Sequence, residues 1–206
     1  MRLGIFGGTF DPPHVGHLLA ASDAFEALAL DLLVLVPAAE QPLKVGAVTA
    51  PPELRLEMVR LLAADDVRFA VDPIEISRRG LSYTVDTLED FARRYPDAER
   101  FLLVGADVMT TFEKWREPAR ILTLARLAVM TRADASDPAA WADVDAMVRA
   151  AAGGRWGVEV GPVVLSTRRV DVSSTEVRAR VRAGQTIRGF VPDAVDEFIS
   201  SRRLYQ

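Results

Sequence analysis

Short apolar runs recur along the chain and end at glycine, proline or polar residues. They cover residues 3–6, 32–36, 67–71, 101–104, 127–131 and 163–166. Each run is too short for a helix of ordinary length, and its flanking residues favour turns. The pattern therefore predicts a buried β-strand at each of these positions.

Between the runs, apolar residues recur every three or four positions, which is the spacing of a helix with one buried face. Helices are predicted over residues 15–30, 53–64, 83–94, 118–124, 138–152, 174–182 and 192–203. In the helix over 53–64, the residues predicted to face inward are Leu54, Met58, Leu61 and Leu62. Strands that alternate with helices predict an α/β fold, a Rossmann-like doubly wound parallel sheet with helices on both faces.

Length, charge and cysteine usage narrow the class of protein. The 206 residues suit a single domain over 1–206, with a small helical portion from about residue 174. The absence of cysteine excludes disulfides, zinc–thiolate sites and cysteine nucleophiles. The formal charge of −4 argues against a nucleic-acid partner. The sequence has no secretory signal and no apolar run long enough to span a membrane, so we expect a cytoplasmic protein without a membrane partner. The sequence is compatible with either a monomer or a homo-oligomer.

The strongest chemical signal follows the first predicted strand and opens the first predicted helix. It reads Gly7-Gly8-Thr9-Phe10-Asp11-Pro12-Pro13-His14-Val15-Gly16-His17. Glycines let the backbone approach a ligand closely, and a helix N-terminus offers N–H groups to a phosphate. The chain has only two histidines, and both lie here, three residues apart. The motif predicts a phosphate site in which two imidazoles stabilise charge on a transferring phosphoryl group.

A purely structural role and a zinc site are both weaker interpretations of the histidine pair. A lone histidine is usually structural, but a pair at this spacing after a glycine turn favours phosphate chemistry. A zinc site is disfavoured because the pair lacks the i, i+4 spacing and the nearby glutamate of helical zinc hydrolases. We therefore expect no metal ion held by protein side chains.

A second signal lies between the last predicted strand and the helix over 174–182. It reads Asp171-Val172-Ser173-Ser174-Thr175-Glu176-Val177-Arg178. Either serine can cap the helix, and Arg178 can reach an oxyanion bidentately from one turn further on. Taken alone, this is an ordinary helix cap with a solvated arginine. Together with the first motif, it predicts a binding site for the β- and γ-phosphates of a triphosphate.

The two motifs resemble the T/HxGH and ISSTxxR signatures of a nucleotidyltransferase superfamily. Within it, the chain is similar nearly end to end to the bacterial nicotinate-mononucleotide adenylyltransferase family. Further matches lie at residues 75–80 (loosely), 82–88 (closely), Gly105-Ala106-Asp107, Trp115 and 191–192. One loop departs from the family: its Pro-Pro-His-Lys reads Gln41-Pro42-Leu43-Lys44 here. That change puts the role of the loop histidine in doubt but keeps the lysine.

The resemblance implies an adenylyltransferase that moves AMP from ATP to nicotinate mononucleotide. The products would be deamido-NAD and pyrophosphate, a step of NAD biosynthesis, and Mg²⁺ would accompany ATP as the cofactor. No residue looks like a covalent nucleophile, so the sequence predicts direct in-line attack by the phosphate of the mononucleotide on the α-phosphorus of ATP.

The resemblance also implies a role for each matched residue. The catalytic residues, which stabilise the transition state, would be His14, His17, Lys44 and Arg178. The ATP-binding residues would be Gly7, Gly8, Thr9, Phe10, Gly16, Gly105, Asp107, Ser173, Ser174 and Thr175, with Gly16 leaving room for the nucleotide. The nicotinate mononucleotide would be held by Tyr83, Thr84, Trp115 and Arg132, with Tyr83 and Thr84 at the pyridine carboxylate and Trp115 stacked on the ring.

Three alternatives remain open at this point. A sibling enzyme would use nicotinamide mononucleotide or phosphopantetheine as acceptor, or CTP as donor. An aminoacyl-tRNA synthetase fragment shares a related HxGH helix start, but the late serine-rich motif and the acidic charge argue against it. A nucleotide-binding sensor without turnover is disfavoured because a binder has no need of two transition-state donors.

Overall fold

One parallel sheet organises the protein. The structure, a computed structural model, describes residues 1–42, 49–131, 142, 146, 161–168 and 170–206. Within them, the strands are β1 (Arg2–Gly8), β2 (Leu32–Pro37), β3 (Phe69–Val71), β4 (Glu99–Gly105), β5 (Arg126–Thr131) and β6 (Val163–Ser166). Their order is β3-β2-β1-β4-β5-β6, and every neighbouring pair is parallel. All six predicted strands are present, but the third was predicted to begin too early: β3 begins at Phe69, and Val67 is 98% exposed.

Helices connect the strands as the spacing of apolar residues predicts. They are α1 (Val15–Ala27), α2 (Pro52–Ala63), α3 (Ile74–Arg78), α4 (Thr84–Arg94), α5 (Ala106–Met109) and α6 (Pro118–Leu124), with a 3₁₀ turn at Phe112–Lys114. Two more follow β6, at Ser174–Arg182 and Asp193–Ser201. The sequence missed α3, α5 and the 3₁₀ turn, because elements this short show no helical period. The helix predicted over 138–152 lies outside the described residues, except positions 142 and 146, which are helical.

The core forms two layers, one on each face of the sheet. Alternate residues of β2 show the division: Leu33 and Leu35 join one apolar cluster, and Val34 and Val36 join the other. The first cluster also takes residues from α1, α2 and the two C-terminal helices, and the second takes residues from α4 and α6. Helices therefore cover both faces, which confirms the doubly wound α/β fold. Across the described residues, no helix is long and apolar enough to cross a membrane.

The buried face of α2 differs from the predicted one. Met58 and Leu62 are buried as expected, but Arg55 and Val59 are also fully buried, whereas Leu54 is only half-buried. The helix is thus rotated so that a charged side chain enters the interior. The prediction placed only apolar residues inside and missed Arg55, and its residues Leu54 and Leu61 are only partly buried.

The order of the strands locates the site. β1 pairs with β2 on one side and with β4 on the other, so the direction of the chain across the sheet reverses between β1 and β4. In such sheets, ligands bind outside the carboxyl ends of the strands at this reversal. The motif at Gly7–His17 leaves the end of β1, and Gly105-Ala106-Asp107 leaves the end of β4.

Candidate active site

The two histidines at the start of α1 form one unit. His14 is the N-cap residue, and its backbone N–H donates to Nδ1 of His17 over 3.1 Å. The two ring centroids lie 3.7 Å apart. Because Nδ1 of His17 accepts a hydrogen bond, the proton of the neutral ring must sit on Nε2. The helix start therefore fixes both the orientation and the tautomer of His17.

Burial and the neighbouring imidazole of His14 lower the pKa of His17 well below 6.5. A histidine with a lowered pKa is uncharged at neutral pH. Its Nε2–H group is then a fixed neutral donor, which can stabilise an oxyanion without transferring a proton.

The glycines of the first motif differ in what a side chain at each position would meet. A Cβ at Gly8 would lie 2.8 Å from the ring of Phe10, and a Cβ at Gly16 would lie 3.0 Å from the ring of His14. Gly16 thus makes room for the His14 imidazole, whereas the prediction assigned that room to a nucleotide. A Cβ at Gly7 would meet nothing within 4 Å, and Gly7 is exposed. Gly7 therefore borders open space at the end of β1.

Phe10 combines a strained backbone with a buried ring. Its φ is +50°, in the left-handed region that a bulky residue rarely adopts. The ring is 2% exposed and packs edge-on against Phe6 and His17, with a centroid distance of 5.0 Å to His17. Burial of the ring holds the strained backbone, which in turn sets the course of the loop toward His14.

The C-terminal motif docks onto the N-terminal motif. Ser174 Oγ donates to the carbonyl of Pro12 at 2.8 Å, and Arg178 Nη1 donates to the carbonyl of Asp11 at 2.7 Å. Ser173 caps its helix by accepting from the N–H of Glu176 at 3.1 Å. Two segments more than 160 residues apart in sequence therefore meet at the carboxyl end of β1.

Arg178 has a structural role that the sequence did not indicate. Besides its contact with Asp11, Nη2 lies 3.4 Å from Thr175 Oγ1, so part of the guanidinium is already engaged. Its Nε, like Thr9 Oγ1, is buried and lacks a hydrogen-bond partner within the described residues. Buried polar atoms without partners are costly, so both atoms are candidates for contact with a ligand.

Gly105 and Asp107 lie at the end of β4, across the crevice from the first motif. A Cβ at Gly105 would lie 2.4 Å from Asp107 Oδ1, so glycine lets the carboxylate fold back over the start of α5. Asp107 is exposed, which leaves its carboxylate accessible to a ligand hydroxyl.

Three of the four residues predicted for the acceptor, Tyr83, Thr84 and Trp115, lie in one region. Tyr83 is the N-cap residue of α4, and the guanidinium of Arg116 lies 4.9 Å from its ring centroid. Arg116 forms an ion pair with Asp86, in which Nη1 lies 3.5 Å from Oδ2. Trp115 packs edge-on against Phe112 at 5.3 Å and is partly buried. The start of α4, with Thr84, and the segment before α6 thus form one wall.

Two predicted residues cannot be placed. Lys44, with its neighbour Leu43, and Arg132 lie outside the described residues. Their assignments stay predictions.

The comparisons with known proteins agree with this geometry. The family model for cytidylyltransferase-like proteins matches residues 5–180. A Gemmatimonas aurantiaca protein described as "Probable nicotinate-nucleotide adenylyltransferase" is 52% identical over 206 residues, covering 100% of this chain and 93% of its own length. A Thermus thermophilus protein described in the same words is 40% identical over 209 residues, covering 100% of both chains. This chain belongs to the nicotinate-nucleotide adenylyltransferase family.

Solved structures support the fold of this family member. The Plasmodium falciparum nicotinic acid mononucleotide adenylyltransferase complexed with NaAD matches with a TM-score of 0.76 and 14% identity, covering 99% of this chain and 97% of that one. The same enzyme complexed with APC matches with a TM-score of 0.74 and 13% identity, covering 99% and 96%. At such low identity, the likeness shows a shared fold.

Arg55 is a buried residue of this adenylyltransferase-family chain that sequence reasoning missed. It is fully buried, and its guanidinium donates to the carbonyls of Thr9, Ala38, Ala39 and Ala50 at 2.6–3.1 Å. Desolvation lowers its pKa, which the charge of Asp11 partly offsets. Arg55 therefore joins the loops that follow β1 and β2. The available signal was an arginine within the apolar face of α2.

Glu75 is a second residue to which the sequence analysis assigned no role, and it lies beside the wall formed by the start of α4. It is buried and accepts from Thr87 Oγ1 at 2.6 Å, and Arg78 Nη2 lies 3.0 Å from the same hydroxyl. Burial raises the pKa of Glu75. Ser82 anchors the same region by accepting from the N–H of Ala39 at 2.9 Å. The loosely matched segment over 75–80 thus supports the start of α4.

Proposed function

We propose that the protein transfers AMP from ATP to nicotinate mononucleotide, giving deamido-NAD and pyrophosphate. The observation that carries this proposal is the junction of the two motifs, where Ser174 contacts Pro12 and Arg178 contacts Asp11 beside the histidine pair. The close relatives point to the same reaction. We place the reaction in the cytoplasm, with no nucleic acid or membrane as partner.

ATP would lie along the crevice between β1 and β4. The backbone of Gly7, Gly8, Thr9 and Phe10 would line it, and exposed Gly7 lets the nucleotide approach closely. Asp107 would accept from a ribose hydroxyl. Ser173 caps its own helix through Glu176, so the N–H groups of Ser174 and Thr175 face the helix N-terminus without intrahelical partners. That end would hold the β- and γ-phosphates.

The histidines would stabilise charge at the reacting phosphorus. An oxygen of the mononucleotide phosphate attacks the α-phosphorus of ATP and forms a new P–O bond. The bond from that phosphorus to the bridging oxygen of the β-phosphate breaks, and its electrons leave with pyrophosphate. His17, neutral with its proton on Nε2, donates to an α-phosphate oxygen. His14 would contact the phosphates from the same turn, and Arg178 would offset charge on the leaving group.

The acceptor would bind against the start of α4. Tyr83 gives no side-chain cap to this helix, so the N–H groups of its first turn, including that of Thr84, are available to the pyridine carboxylate. Trp115 would stack on the pyridine ring. Arg132 would contact the mononucleotide phosphate, and Lys44 would neutralise phosphate charge with Leu43 in place of the family histidine.

Mg²⁺ fits this site as an ion carried by ATP. Magnesium prefers oxygen ligands and keeps several waters. Within the described residues, no group of three His, Cys, Asp or Glu side chains comes together to hold a metal. Most of the groups proposed here donate hydrogen bonds, so they suit phosphate oxygens. When bound with ATP, the ion would neutralise part of the triphosphate charge.

The nearest alternatives are siblings that use nicotinamide mononucleotide or phosphopantetheine. The wall of Tyr83, Arg116 and Trp115 favours a flat anionic ring, because it combines aromatic surface with a cation. A helix N-terminus favours a carboxylate over an amide for the same electrostatic reason.

The deciding experiment follows pyrophosphate release with ATP and Mg²⁺. Nicotinate mononucleotide, nicotinamide mononucleotide and phosphopantetheine are offered in parallel to the folded protein. We expect rapid release with the nicotinate form and release at least about tenfold slower with the amide. Equal rates would overturn the proposed role of Thr84, and release with phosphopantetheine alone would overturn the proposed substrate.

The variant His17→Ala separates an enzyme from a sensor. In an enzyme, turnover should fall by about 10²-fold or more while ATP affinity changes little, because the imidazole acts mainly in the transition state. A sensor would show no turnover in either protein and would lose affinity. The matched control is Leu18→Ala on the same helix, which removes no polar group.

A further inference from the structure

The last turn of the chain reaches back beneath the candidate site. Tyr205, the penultimate residue, is 6% exposed and belongs to the first apolar cluster. Both Arg203 and Tyr205 take a positive φ, +51° and +66°, which costs free energy for residues with a side chain. The contacts of Tyr205 must offset that cost, so this chain end has a specific position.

The hydroxyl of Tyr205 contacts the first motif. It donates to Asp11 Oδ1 over 2.8 Å, across 194 positions of sequence. Burial and the charge of Asp11 raise the pKa of Tyr205 above its usual range. The hydroxyl therefore keeps its proton at neutral pH and donates it in the hydrogen bond to Asp11.

Asp11 joins three parts of the site. Its buried carboxylate also accepts from the N–H groups of Thr49 at 2.8 Å and Ala50 at 3.0 Å, at the start of the segment that leads into α2. Its carbonyl accepts from Arg178 of the C-terminal motif. Nη1 of Arg178 also lies 3.8 Å from Asp11 Oδ2. A rotation of this carboxylate would therefore shift the loop toward His14, the α2 segment and Arg178 relative to one another.

We propose that Tyr205 is a positioning residue for AMP transfer, which orients the Asp11 carboxylate and thereby aligns the histidine motif with the Arg178 motif. The inference rests on the proposed function for its reaction, and on the contacts above for its geometry. Arg55 supports the same arrangement from the other side, because it holds the carbonyls of Thr9 and Ala50, which flank the Asp11 contacts.

The variant Tyr205→Phe tests this role because it removes only the hydroxyl. Tyr95→Phe is the matched control: Tyr95 stacks on Phe91 at the end of α4 and belongs to the other apolar cluster. Steady-state kcat and KM are measured at a temperature where circular dichroism shows each variant fully folded. We expect kcat of Tyr205→Phe to fall by about tenfold and the Kd for ATP to rise by about threefold, with the control within about twofold of the parent.

A purely structural role for the hydroxyl gives a different result. The Tm of Tyr205→Phe would drop, but kcat and the Kd for ATP of the folded fraction would match those of the parent, and the proposal would be overturned. A double-mutant cycle with Asp11→Ala tests whether Tyr205 acts through Asp11. Adding Tyr205→Phe to Asp11→Ala should cost less than about twofold, because the acceptor of the hydroxyl is already gone; a full tenfold loss would show that Tyr205 does not act through Asp11.

Calorimetric titration with ATP alone keeps the two proposals distinguishable. If the parent binds ATP but releases no pyrophosphate with any acceptor, the proposed function fails. A weaker ATP affinity of Tyr205→Phe than of Tyr95→Phe would still support the positioning role, and equal affinities would overturn it. This titration also tests the proposal if Asp11→Ala does not fold.

Discussion

The backbone N–H of His14 donates to Nδ1 of His17, and this hydrogen bond assigns the proton of the second imidazole to Nε2. The two histidines are therefore not equivalent, although the motif presents them as a pair. His14 begins the helix, and its own backbone orients the ring that follows one turn later.

NMR of the imidazole nitrogens can test this relationship directly, because the chain has only two histidines. We expect His17 to show the Nε2–H tautomer and to titrate well below pH 6.5. The variant His14→Ala assigns the signals. A Nδ1–H tautomer for His17, or a midpoint near 6.5, would contradict the geometry.

The same lowered pKa predicts a pH dependence of stability. The unfolded chain binds the His17 proton more readily than the folded one, so between pH 6.5 and the lower folded pKa the unfolded state carries more protons. The free energy of unfolding should therefore decrease as pH falls through this window. Urea unfolding of the parent and of His17→Asn at several pH values should show a shallower decrease for the variant. Parallel curves would contradict the assignment.

Replacement of Arg55 by methionine should destabilise the fold strongly. Four backbone carbonyls would lose their donor inside the protein, so we expect the free energy of unfolding to fall by about 3 kcal/mol. Arg60→Met is the matched control on α2, since Arg60 forms an exposed pair with Glu57 and should change stability by less than about 0.5 kcal/mol. Denaturant midpoints measure both, and equal losses would refute the buried role of Arg55.

Two glycines of one motif should respond differently to alanine. At Gly16 the new Cβ meets the His14 ring, so we expect kcat to fall by about 10²-fold without loss of fold. At Gly7 the Cβ meets only open space, so stability should hold within about 0.5 kcal/mol and the KM for ATP should rise. Steady-state kinetics and thermal unfolding separate the two effects. An unchanged KM for ATP in Gly7→Ala would show that Gly7 does not line the proposed ATP-binding crevice between β1 and β4.

Arg178→Lys should impair both the junction and the reaction. A lysine amine cannot replace the planar fork that contacts Asp11 and Thr175 together, so we expect kcat/KM to fall by about 10²-fold. Arg182→Lys, on the exposed end of the same helix, should stay within about twofold of the parent. Near-parental activity of Arg178→Lys would show that charge alone is sufficient there.

The elements that the sequence predicted well are those whose burial follows a local pattern. The strand Val163–Ser166 and the helices Pro118–Leu124 and Ser174–Arg182 have the predicted ends. Strands inside a parallel sheet are buried on both faces, so they appear as continuous apolar runs. Short elements such as Ile74–Arg78 have no such period and were missed. The single-domain interpretation and the site roles stay predictions.

The fold class, the two motifs and the family follow from local sequence patterns, because strand runs, glycines and capping residues act over a few neighbouring positions. The partners of Arg55, Tyr205 and Arg178 follow only from how distant segments pack together. Their hydrogen bonds join segments that are far apart along the chain, and a polar side chain carries no local mark of the distant carbonyl or carboxylate that it will meet. The packing of the whole sheet sets those distances, so it also decides which hydrogen bonds join the two motifs.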